Sequence, residues 1–96
     1  MKMFIIIYDV TNDDDVMETL SNCCVSGYTK WSKALGKGKR SDPKMDDAVW
    51  PGYNCAVMMA VDEDLESEVY NALLKLHKKT GKKALKVFGW PIEQLI

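Results

Sequence analysis

Gly36, Lys37, Gly38, Lys39 and Arg40 put two glycines and three cations into five consecutive positions. Glycine admits backbone conformations in which neighbouring N–H groups converge on one point, and an oxyanion placed there gains those dipoles and the adjacent positive charge. The chemistry open to this stretch is binding of a phosphate or another small anion, although the same composition also suits a solvated loop base. Cys23, Cys24, Cys55 and His77 are donors of the kind zinc and copper accept. They lack any C-x-x-C pair, so buried structural thiols are expected, with His77 exposed near a helix end and no metal ligands assigned. Asp13, Asp14 and Asp15 form a carboxylate cluster that helix capping accounts for. A single histidine, no Gly-x-Ser-x-Gly elbow, no full P-loop and no dinucleotide fingerprint leave catalysis without support. No catalytic residue is nominated, and the chain reads as a non-enzyme.

These residues need elements to position them. With 96 residues the chain is one domain, of a size that buries only roughly 60–65% of its unfolded surface. Lys and Arg number 13 against 14 Asp and Glu, so no global charge excess points to a nucleic acid or an anionic membrane. The apolar runs "MFIIIY" and "CAVMMAV" fall far short of the ~18–20 residues of a membrane span. Three cysteines, an odd count, suit a reducing compartment. A soluble, cytoplasmic protein without membrane insertion is expected.

Met3 to Val10 suits a strand. Thr11 or Asn12 is the expected N-cap of a helix in which Val16, Met17, Leu20 and Cys23 or Cys24 recur at helical spacing, with Gly27 as its stop. A strand from about Tyr28 to Leu35 leads into a long polar segment. Within it Pro51-Gly52 provides the central pair of a type II turn, and Trp50 is pushed toward extended backbone by the proline after it. Asn54 to Val61 reads as a further strand. Asp62 caps a helix with the stripe Leu65, Val69, Leu73 and Leu76, closed by Gly81. Leu85 to Phe88 is a last strand, followed by the tail "GWPIEQLI" with apolar anchors.

Strand, helix, strand, strand, helix, strand is the order of the α+β, ferredoxin-like βαββαβ fold, an antiparallel sheet with two helices on one face. A lone subunit of this kind should alternate apolar and polar residues along its strands. Instead Met3, Ile5 and Ile7 oppose Phe4, Ile6 and Tyr8, and Cys55, Val57, Met59 and Val61 oppose Ala56, Met58 and Ala60. Both faces are apolar and the helices cover one, so a homo-oligomer packed through its sheets is expected.

"GYTKWSKALGKGKR" and "TGKKALKVFGWPIEQ" resemble two segments of the PII family of signal-transduction proteins: the second strand running into a Gly-x-Gly-Arg segment, and the "TGxxGDGKIFVxPVEE" ending. The resemblance runs over nearly the whole chain. It implies a homotrimer, with residues 36–53 as the T-loop that docks partner proteins and with nucleotides bound in clefts between subunits. It adds Lys86 to Gly36, Lys37, Gly38, Lys39 and Arg40 as a ligand contact, and assigns Lys44, Trp50 and Tyr53 to partner binding. ATP, ADP or AMP is the implied effector, no other cofactor is required, and a transporter or a metabolic enzyme is the implied partner class. This chain departs from the family pattern in several places. Its arginine is displaced by one position, the base-contacting glutamine is absent, the T-loop is shorter, and Lys83-Ala84-Leu85-Lys86 replaces the "GDGK" turn. CutA-like metal-handling trimers share the assembly and are the alternative reading. A nucleic-acid-binding ferredoxin-like domain ranks lower, because the third strand lacks aromatics for stacking bases.

Overall fold

A computed structural model describes the chain except Ser26, Arg40, Ser41, Trp50 and residues 82–84. Its elements are β1 (Lys2–Asp9), α1 (Asp13–Asn22), β2 (Thr29–Ala34), β3 (Asn54–Val61), α2 (Glu66–Thr80) and β4 (Leu85–Pro91), with single 3-10 turns at Val10–Asn12 and Glu63–Leu65. The sheet has the order β2-β3-β1-β4, and every neighbouring pair is antiparallel. This is the expected βαββαβ ferredoxin-like arrangement.

Alternation along each strand divides the apolar residues between two faces. Phe4, Ile6 and Tyr8 of β1, with Cys55, Val57, Met59 and Val61 of β3 and Leu85 of β4, are buried together with Val16 and Leu20 of α1 and Val69, Leu73 and Leu76 of α2. That cluster is the core. Sealing a side chain of this size contributes about 1.5–3 kcal/mol. On the other face Met3 lies between Ala60 and Trp90, Ile5 between Met58 and Phe88, and Ile7 between Ala56 and Lys86. Among the described residues, no helix covers these rows.

The boundaries depart from expectation where backbone geometry outweighs composition. α1 stops at Asn22, well before Gly27. Cys24 takes the left-handed conformation at φ 60°, and Val25 N–H turns back to the Leu20 carbonyl at 3.1 Å. Glycine usually occupies such a position, so a cysteine there sends no sequence signal. Asn12 is the N-cap of α1, as expected, but makes no side-chain capping hydrogen bond; the side-chain cap lies at the 3-10 turn before it. Asp9 accepts from the Thr11 N–H at 3.0 Å and the Thr11 hydroxyl at 2.5 Å. α2 ends as expected, with Gly81 at φ 94° donating to the His77 carbonyl at 3.0 Å.

β4 runs on through Gly89, Trp90 and Pro91 because each pairs with the start of β1, ending at Lys2↔Pro91. An edge strand tolerates the proline. The tail beyond it is not anchored by its apolar residues: Leu95 and Ile96 are exposed. Ile92 N–H ties it back to the Met1 carbonyl at 3.1 Å. Among the described residues, no helix is long and apolar enough to cross a membrane.

Candidate functional site at the base of the long loop

The segment between β2 and β3 is folded at its base. Gly36 and Lys44 exchange both backbone hydrogen bonds, at 2.9 and 2.6 Å, and Asp46 N–H donates to the Gly52 carbonyl at 2.9 Å. Two positive φ angles make this return possible, 54° at Asp46 and 88° at Gly52. Aspartate tolerates that region better than most residues. At Gly52 the Lys44 side chain passes close by, and a Cβ there would meet its Cδ at 3.8 Å and its Nζ at 3.9 Å.

Side chains then tie the base to the sheet. The Lys44 ammonium pairs with Asp9 at 3.2 Å, and Lys33 of β2 pairs with Asp46. Lys33 Nζ also stands 5.6 Å from the centre of the Tyr53 ring, a cation–π distance. The Tyr53 carbonyl accepts from Val10 N–H at 3.1 Å. Burial acts to raise the Asp9 carboxyl, yet the Thr11 hydroxyl and N–H and the Lys44 ammonium outweigh it and hold it below the usual carboxylate range. Asp9 is therefore ionised at neutral pH.

Of the residues nominated for the site, Gly36 to Lys39 lie on this outgoing arm. Lys37 and Lys39 are exposed, and Lys37 donates to the Gly38 carbonyl at 3.3 Å. Arg40 and Trp50 lie outside the described residues. Lys44 and Tyr53, nominated for partner contacts, are turned toward the protein body by the contacts above. Among the described residues, the large exposed apolar side chains of this region are Leu35, Met45 and Val49. Leu35 and Met45 flank the Gly36–Lys44 bridge.

Lys86 lies within β4, exposed, opposite Ile7. Ile7 is opposite Ala56, and Ala56 is opposite Trp31. Lys86 thus belongs to the uncovered face, at the same end of the sheet as the loop base and on the opposite edge. Three strand spacings of roughly 4.8 Å put β4 roughly 14 Å from β2. One subunit does not bring Lys86 and the Gly36 to Lys39 arm onto one ligand.

A second polar cluster was missed from the sequence. Asp13 does more than cap α1: it accepts from the Tyr8 hydroxyl at 2.6 Å and pairs with Lys30 at 2.8 Å. This joins the helix layer to β1 and β2. Burial first, then the Asp13 contact, pushes the Tyr8 phenol far above its ordinary value. Burial also acts to raise Asp13, but the Lys30 and Tyr8 hydrogen bonds prevail and hold it low. The Asp13 hydrogen bond in turn raises Lys30. Only the apolar surroundings of Tyr8, in a strand otherwise free of hydroxyls, hinted that it needs an acceptor.

Cys23 and Cys55 are buried, and burial raises both thiols. Cys24 is exposed, contrary to the expectation of three buried thiols. His77 is half-buried rather than exposed. Among the described residues, no three His, Cys, Asp or Glu side chains converge as metal ligands would.

The sequence model of the family described as Nitrogen regulatory protein P-II matches residues 1–96. No curated protein matches the chain by sequence. Similar solved structures include CPII, a nitrogen regulatory PII-like protein from Thiomonas intermedia, bound to ADP, AMP and bicarbonate. It has a TM-score of 0.73 and 19% identity, over 93% of this chain and 82% of that one. CPII bound to ADP and bicarbonate gives a TM-score of 0.69 and 17% identity, over 97% and 88%. A PII-like signalling protein from Thermus thermophilus gives 0.62 and 18%, over 93% and 83%. At such identities the likeness concerns the fold.

Proposed function

The chain belongs to the P-II nitrogen regulatory family, whose members are signalling regulators rather than enzymes, and from that premise we propose that it is a trimeric effector sensor. Its subunits pack through the uncovered sheet face. A small anionic effector, an adenine nucleotide first of all, binds where the Gly36 to Arg40 arm of one subunit meets Lys86 of the next. The long loop, residues 36–53, carries the outcome to a protein partner such as a transporter or a metabolic enzyme.

The observation that carries this reading is the placement of the two basic elements. They share one end of the sheet and sit on opposite edges, with Lys86 on the face that still needs covering. An assembly that brings the β4 edge of one subunit to the β2 edge of another would unite them. CPII, with its bound ADP, AMP and bicarbonate, supports adenine nucleotides and a small oxyanion as the ligands to try. The mixed charge of the loop, with Asp42, Asp46 and Asp47 among its cations, suits a protein partner better than a polyanion.

The test is calorimetry with ATP, ADP and AMP, with and without bicarbonate, on protein whose mass has been fixed by light scattering. One nucleotide per subunit of a trimer is expected. Lys39→Ala and Lys86→Ala should each weaken binding roughly tenfold, the value of a charge-assisted contact. Co-refolding the two variants should restore part of the tight binding, because mixed trimers contain clefts with both lysines intact. Absence of that recovery would place both lysines on one subunit's site and reject the shared cleft.

A further inference from the structure

Glu66, Tyr70, Leu74 and Lys78 stand four residues apart in α2, so they form one row along the helix surface. The helix buries Val69, Leu73 and Leu76 in the core, whereas Tyr70 and Leu74 are 55% and 36% exposed. Either one alone would need no explanation. Together they make an apolar centre with a carboxylate one turn before it and an ammonium one turn after it. Neither Glu66 nor Lys78 is ion-paired to another described residue. We infer that this row is a contact with a second copy of the chain, in which two α2 helices cross antiparallel between Tyr70 and Leu74.

Charge complementarity selects that occupant. An antiparallel crossing sets Tyr70 against the partner subunit's Leu74 and Glu66 against the partner subunit's Lys78, and the two-fold axis repeats both contacts. The neighbouring row has the same polarity, with Glu63 before Ser67 and Asn71 and with Lys75 after them. A parallel crossing would set like charge against like along both rows. A foreign helix of a single charge sign would match one end and be repelled at the other. Rows of side chains four apart, packed into one another, are also the commonest geometry of helix crossing. The helices lie on the sheet face opposite the uncovered one, so α2 remains outward when subunits pack through their sheets. The pairing takes from the function proposed above only the number of ridges displayed. One crossing of two 15-residue helices falls below the ~1,200 Å² of a standard interface, so a lone subunit stays single at micromolar concentration. A trimer displays three such ridges, and simultaneous contacts reinforce one another.

Sedimentation velocity on the full chain tests the contact. At several hundred micromolar protein and about 20 mM salt, where exposed charges are weakly screened, the assembly mass should be at least twice that of dilute protein in about 0.5 M salt. Tyr70→Glu should abolish the larger species and leave the far-ultraviolet dichroism unchanged. Lys78→Glu and Glu66→Lys should each weaken the association roughly tenfold, because the two-fold axis turns two attractions into two repulsions. A mixture of these two variants should recover it, since each supplies the charge that the other lacks. A mass that is the same under both conditions overturns the contact, as does a larger species that survives Tyr70→Glu or a mixture that fails to recover. A dilute, high-salt mass of one subunit would reject the trimer. The pairing would then be expected as a two-subunit species at high concentration, and the same charge variants would still decide it.

Discussion

On the helix-covered face of the sheet Phe4, Ile6 and Val57 are sealed at 3% exposure or less, whereas on the other face Phe88 and Trp90 stand 55% and 42% exposed. The residue types are alike, and β1 contributes an unbroken apolar run to both. Local propensity cannot tell the faces apart. What separates them is that α1 and α2 are only two helices and close one side of the sheet. The covered face fixes the fold of a subunit, and the other face is available to fix its assembly. Substitutions on the two sides should therefore fail in different ways.

The largest effect is expected from Met58→Asp. A carboxylate buried between packed sheets has no partner there, so light scattering should show the mass of a single subunit, with the far-ultraviolet dichroism of the fold retained. A variant that keeps the mass of the parent protein would mean that the uncovered face is not the assembly surface. Leu73→Ala, on the covered side, should do the reverse. It should lower the unfolding free energy by about 2–5 kcal/mol, read from the denaturant midpoint, and leave the association state alone in native buffer.

Asp13→Ala comes next, because it strands the Tyr8 hydroxyl and the Lys30 ammonium at the layer boundary, a loss of about 1–3 kcal/mol. Its pH signature is specific. The Asp13 carboxyl is held low in the folded protein, while an unfolded aspartate titrates near ~3.9. Its contribution is therefore complete above that value and is lost as the pH falls through the lower folded value. Asp13→Asn should flatten the acid limb of the stability curve measured by urea titration at successive pH values. The smallest effect is expected from Lys33→Ala, on an exposed pair. It should show only as faster exchange of the Asp46 amide, and added salt should reduce the difference between variant and parent.

The features legible in the sequence were those that local chemistry dictates. Asn54–Val61 could be delimited from its apolar and β-branched run, and the end of α2 from Gly81. The two apolar faces followed from the failure of alternation in the first and third strands. Features that depend on distant parts of the chain stayed hidden. β4 extends to Pro91 because Met3 and Lys2 lie beside Trp90 and Pro91, which "GWP" alone does not announce. Lys44 reads as a partner-binding residue of the loop until the fold brings Asp9 next to it. Asp13 reads as a helix cap until Tyr8 and Lys30 are placed on neighbouring strands. The glycine and lysine pattern at Gly36 to Lys39 marked a candidate site, yet it could not reveal that the Gly36 N–H is already engaged.

The order of the strands also has a kinetic meaning. β1 is made first and lies inside the sheet, yet its neighbours are β3 and β4, the last strand to be made. Met3 to Tyr8 must wait for most of the chain before either side is paired, an interval of seconds at the roughly 5–20 residues per second of synthesis. Contacts as distant as Lys2↔Pro91 raise the contact order and slow folding. The nascent chain thus carries an unpaired apolar strand until β3 emerges, and in that interval α1 rather than the sheet is what can cover it.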